Sequence, residues 1–146
     1  MGRARGGAGR WLQPLALARL VGWASLGFGV LLFVAPALSA QLFGMGDHAA
    51  LMRYIGARDL FIGAAIFLGR RLSLWMMARA IADSTDVAIC VFMLVTGTPH
   101  AWRAALGLAL AAGFCVLDFW IAQRLRHEAQ PAAAPALALS RSRRRA

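Results

Sequence analysis

A chain of 146 residues that is 60% hydrophobic, 15% charged and of mean hydropathy +0.63 lacks the composition of a soluble domain, in which about 25% of residues are charged. Its 16 basic residues are all arginine and, against six acids, give a formal net charge of +10. Because those arginines flank apolar stretches, the excess reads as membrane topology, and nucleic acid is excluded as the expected partner.

Residues 1–14 form a basic N-terminus carrying Arg3, Arg5 and Arg10. Four apolar segments follow at 15–38, 51–69, 74–96 and 101–123, each near the about 20 residues that cross a hydrocarbon core. Pro36 ends or kinks the first. A competing reading makes residues 1–40 a cleaved signal peptide ending Ala37-Leu38-Ser39-Ala40, but Arg19 interrupts the run and it exceeds the about 7 to 15 residues of such a peptide's apolar core. Asp47 is placed to cap the second helix and Ser73 the third, while Thr98-Pro99 suits the start of the fourth. Residues 124–146 are rich in Ala, Pro and Arg and read as a flexible tail, whose Arg141, Arg143, Arg144 and Arg145 are suited to anionic lipid headgroups.

Arginines precede the first segment, join the second to the third at Arg70-Arg71 and follow the fourth, so they fall on one side. By the positive-inside rule that side is cytoplasmic. The fold expected is all-α: an integral membrane four-helix bundle, antiparallel up-down-up-down, with both termini cytoplasmic. The domain is residues 15–123, and the location a bacterial cytoplasmic (inner) membrane, crossed several times.

Six charged side chains then need explaining, because each stands inside an apolar segment: Arg58, Asp59, Arg79, Asp83, Asp86 and Asp118. A charge at mid-membrane costs about 2.5 to 3.5 kcal/mol, so such groups persist where they pair inside a bundle or line a polar cavity. Arg79, Asp83 and Asp86 share one face of the third helix, and Gly56, Asp59 and Gly63 one face of the second, where the glycines permit close helix approach. Arg58, about 100° around from Asp59, is expected to serve a different neighbour. Measured from the Arg70-Arg71 turn, Arg58 and Asp59 lie about 18 to 20 Å along one helix and Asp83 and Asp86 about 17 to 22 Å along the next. Arg58 therefore pairs with Asp83 or Asp86, and Arg79 with Asp118. Two arginines face four aspartates, so unless Arg19 or Arg53 near the span ends compensates, at least one acid is expected to be protonated, and Asp83 and Asp86, the deepest, form the candidate proton or cation site.

Cys90 and Cys115 differ in depth and are read as core residues. Asp47, His48 and His100 have no spacing that matches a metal motif. No catalytic set, metal site or cofactor is read, and an enzyme is not the favoured class.

The stretch Arg53-Tyr54-Ile55-Gly56-Ala57-Arg58-Asp59-Leu60-Phe61-Ile62-Gly63, with the acids of the third helix and His100 before the last, resembles a family of small four-helix membrane proteins classed as a domain of unknown function. DoxX-like proteins are a looser, architectural likeness. The resemblance implies the four-helix fold and singles out Arg58, Asp59 and Asp86, but supplies no substrate. The function expected is a structural membrane protein or partner subunit (a homo-oligomer or a membrane partner's companion); the alternatives are a small transporter or proton-coupled carrier using the intramembrane acids, and then a membrane enzyme or lipid-binding module. A carrier needs a water-accessible cavity at the acids; a structural network is dry and fully paired.

Overall fold

The computed structural model describes residues 13–143, with side chains through residue 128. The basic N-terminal residues and the side chains of the terminal arginines, to which lipid contact was assigned, lie outside the described residues. Five helices follow one another: α1 (Pro14–Val34), α2 (Pro36–Leu42), α3 (Ala49–Leu68), α4 (Leu72–Thr96) and α5 (Ala101–Arg143). There is no strand among the described residues.

Proline explains the first two boundaries. Pro14 opens α1, where its missing N–H costs nothing. Pro36 disfavours helical geometry at Ala35, so α1 stops and α2 restarts on Pro36 itself. Gly97, at φ +89°, ends α4 in a conformation that favours glycine. The expected caps do not form. The residue before α3 is His48 and that before α4 is Arg71, neither helix has a side-chain cap, and Ser73 lies inside α4. Thr98 instead donates from Oγ1 to the Gly44 carbonyl, 2.6 Å away, tying the α4–α5 loop to the α2–α3 loop.

The expectation of a four-helix membrane bundle, up-down-up-down with both termini cytoplasmic, is corrected here. Among the described residues there are five helices, and only two are long and apolar enough to cross a membrane, namely α1 and the Ala101–Glu128 part of α5. Pro36 divides the first expected span. Arg53, Arg58 and Asp59 in α3, and Arg79, Asp83 and Asp86 in α4, put three charges in each helix and remove both from that class. Past residue 123, where the last span was expected to end, α5 continues as backbone helix to Arg143.

The two candidate spans are an indication of membrane association. Only 33% of the apolar window in α1 and 22% of that in α5 is buried, unlike the core helix of a soluble protein. Charge and apolarity are also inverted relative to a soluble domain. Trp23, Leu68, Val95 and Val116 are exposed, whereas Asp59, Arg79, Asp83 and Asp118 are buried.

The helices associate as two pairs. α1 packs along α3 and α4 along α5, while α3 meets α4, and α1 meets α5, over short stretches. Glycines set the first pair: a Cβ at Gly56 would lie 2.6 Å from the Phe33 amide nitrogen and 2.8 Å from the Gly29 carbonyl oxygen, so the two backbones touch. One apolar cluster, around Val21, Ile62, Met76 and Ile121, lies toward the α3–α4 turn. A second, around Leu32, Met52, Ile55 and Cys90, lies toward the opposite end. Between them, at Ser25, Arg58, Asp59, Arg79, Asp83 and Asp118, the interior is polar.

Candidate functional site

All six charged residues singled out in the sequence meet in this layer, in two groups of one arginine and two aspartates.

The first group joins α3 to α4. Arg58 grips Asp86 with two parallel hydrogen bonds, Nη1 to Oδ1 at 2.9 Å and Nη2 to Oδ2 at 2.6 Å. It also donates from Nη1 to the Ala82 carbonyl and Thr85 Oγ1, each at 3.1 Å. Its Nε and Nη2 both reach Asp59 Oδ1, at 3.2 and 2.9 Å. The expectation that Arg58 and Asp59 serve different neighbours is therefore corrected. Their Cβ atoms diverge, but the long stem of Arg58 folds back over the adjacent carboxylate. This fork-on-fork geometry is the strong form of an arginine–carboxylate pair. Side-chain exposures of 15%, 9% and 19% for Arg58, Asp59 and Asp86 put the group at the edge of the interior.

The second group joins α4 to α5 and α1. Arg79 Nε lies 2.8 Å from Asp118 Oδ2, but its N–H is not directed at the oxygen, so the contact is an ion pair without a hydrogen bond. Asp83, one turn on, is 3.8 Å from Arg79 Nη2. Arg79 Nη1 donates to Ser25 of α1, and the guanidinium lies 5.9 Å from the centre of the Phe114 ring. Burial is deep, at 6% side-chain exposure for Arg79 and Asp83 and 0% for Asp118. Asp83 Oδ2 and both Asp118 oxygens have no hydrogen-bond donor. Ionised carboxylates only accept, so neither acid can supply a donor to the other.

A cavity of about 110 Å³ opens onto these groups, with Asp59, Arg79, Asp83 and Asp86 among its lining residues. A water molecule needs only about 10 to 15 Å³ of such volume, so the space holds several where polar groups are present. The rest of the lining is apolar, from Phe28 and Leu32 on α1 to Leu110 and Phe114 on α5.

Asp83 and Asp86, taken together in the sequence as one proton or cation site, face the same cavity but belong to different groups. Asp86 is held by Arg58, whereas Asp83 is left partly open beside Asp118. Ser25, Thr85 and Phe114 were not singled out, although Ser25 lies on the small-residue stripe Ala18, Gly22, Ser25, Gly29 that marks the buried face of α1. Cys90 and Cys115 are free, and Cys115 pairs instead with Ser84 Oγ at 3.2 Å. Among the described residues no cluster of His, Cys, Asp and Glu is fit to hold a metal ion, and Asp47, His48 and His100 form none.

No family model, curated protein or solved structure matches the chain, and the functional reading rests on the site itself.

Proposed function

We propose that this chain is a protein of a bacterial cytoplasmic membrane, inserted through α1 and α5, and that it acts as a small carrier in which Asp83 takes up a proton or cation from the cavity. The observation that supports this reading is the cavity reaching Asp83, whose Oδ2 is buried without a partner. An acid that serves only as polar glue is expected to be enclosed and fully bonded, because an unsatisfied buried polar atom costs about 1 to 3 kcal/mol and more when charged. A buried, incompletely bonded acid at the wall of a cavity is the arrangement that lets a proton or cation arrive and leave.

The structural reading draws its own support from Arg58, which donates to two carboxylates, a hydroxyl and a carbonyl and so serves as a brace between α3 and α4. The two readings divide the network: Arg58, Asp59 and Asp86 hold it, and Asp83 with Asp118 works.

The test is the carboxyl infrared band of the purified protein in lipid, followed from pH 4 to pH 9, with Asp83→Asn and Asp86→Asn as assignment controls. A band that titrates in the parent and vanishes in Asp83→Asn, but persists in Asp86→Asn, is the expected result. A spectrum in which no protonated carboxyl appears at any pH would remove the carrier reading and leave a paired structural network.

A further inference from the structure

The end of the molecule where α3 turns into α4 carries charge that the polar layer does not use. Four ion pairs occur among the described residues, and all belong to Arg58 or Arg79. Arg70, Arg71 and Arg126 are exposed and take part in none of them. Yet these three line a single open cavity of about 460 Å³, within the about 300 to 1,000 Å³ of ligand sites.

The fold brings them there from two directions. Arg70 and Arg71 make the turn between α3 and α4, and Gly69 before them has no room for a Cβ against the Trp75 indole, so that ring packs down on the turn. Arg126 arrives on α5, which runs along α4. Three guanidiniums at one opening repel each other, and neither the cavity lining nor the first turn of α4 supplies an acid. A phosphate offers several acceptor oxygens to such forks and offsets the repulsion. The Ser73 hydroxyl, also in the lining, adds a neutral donor.

The rest of the lining chooses among phosphates. Leu72, Leu74 and Leu125 share the cavity with the arginines, and beside it Leu74 is 51% and Leu68 85% exposed. Two indoles mark the depth as that of a membrane interface: Trp75 in the first turns of α4, and Trp120 on the span-forming part of α5, with the Arg124 guanidinium 5.2 Å from its ring centre. A phosphate that carries apolar chains satisfies both halves of this surface. A nucleic acid or a phosphorylated peptide would leave the leucines uncovered.

We propose that the cavity binds an anionic phospholipid, its phosphodiester held by Arg70, Arg71 and Arg126 and its acyl chains passing along Leu68 and Leu74. The proposal rests on the reading that α1 and α5 are inserted in a membrane, not on Asp83 acting as a carrier. The site is separate from the terminal arginines of the tail.

The experiment is native mass spectrometry of the full chain in detergent micelles, titrated with phosphatidylglycerol. Phosphatidylcholine serves as the zwitterionic lipid and glycerophosphoglycerol as the same headgroup without chains. The expected result is one saturable phosphatidylglycerol per chain, held about tenfold or more tighter than either control. Arg71→Gln and Arg126→Gln should each weaken it about tenfold, the loss of one charge-assisted contact. Arg124→Gln removes a charge from the same end but outside the lining, and should leave the affinity close to that of the parent. Circular dichroism establishes that each variant is folded. Equal binding of phosphatidylcholine, an equal loss in Arg124→Gln, or full affinity in folded Arg71→Gln and Arg126→Gln overturns the site. Equal binding of glycerophosphoglycerol overturns the lipid as its occupant. Alkaline carbonate extraction of the expressing membranes separates this proposal from the reading beneath it. A chain that stays in the membrane but shows no phosphatidylglycerol preference loses the lipid site alone, and a chain that is released loses membrane insertion as well.

Discussion

The two polar groups contain the same residue types in the same proportion, yet they differ in satisfaction. Arg58 forms a bidentate pair with Asp86 and folds back on Asp59. Arg79 makes one side-chain hydrogen bond, to Ser25, and its closest carboxylate is aligned for charge but not for hydrogen bonding. The better-bonded group is the more exposed one, and the poorly bonded group lies at 0 to 6% side-chain exposure. If the network served only stability, the deep group would be the better bonded, because desolvation costs more there. Counting ion pairs hides this difference, and following each oxygen reveals it.

The largest effect expected from breaking this contrast comes from Asp118→Ala, which takes away the nearest counter-charge of Arg79 and leaves it only Asp83, 3.8 Å away. It should cost about 3 to 5 kcal/mol, read from denaturant unfolding in detergent. The double variant Arg79→Met with Asp118→Leu should lose less, because it removes the closest pair of charges together and leaves Asp83 as an acid that can be protonated; equal losses would show that the two are not coupled. A middle effect is expected from Asp86→Asn, which spoils the fork with Arg58 and should cost about 1.5 to 3 kcal/mol in the same assay. The smallest belongs to Asp83→Asn. That change removes the surplus negative charge at nearly constant side-chain volume, so stability should stay within about 1 kcal/mol of the parent. A loss as large as that of Asp86→Asn would mean that both groups are braces and that the distinction between them fails.

Much of the site was legible because helix geometry is rigid. A fixed rise per residue from the Arg70-Arg71 turn puts Arg58 level with Asp86, and these groups meet at 2.6 Å. It likewise puts Arg79 on the same side of the centre as Asp118, 2.8 Å away. Side-chain reach was less legible. Adjacent helical positions diverge at Cβ, but an arginine stem is long enough to undo that divergence, as Arg58 does over Asp59. Ser25 had a signal that hydropathy buries: small residues at spacings of four, three and four on α1. The number of spans misled because charges inside apolar runs were taken to be tolerated within a membrane bundle, whereas three in each of α3 and α4 remove both helices from the class long and apolar enough to cross. Nothing in the pattern of apolar residues told which helices pair. That choice depends on where glycines let backbones touch, as Gly29 and Gly56 do, and both sides of such a contact must be known before it can be recognised.

The short meeting of α3 with α4 acquires a mechanical meaning from the side chain that fastens it. Arg58 is a rivet: one guanidinium from α3 set into Ala82, Thr85 and Asp86 over a little more than one turn of α4. A single rivet fixes the distance between two plates and leaves their angle to be set elsewhere. The angle here is left to the longer contacts of α3 with α1 and of α4 with α5.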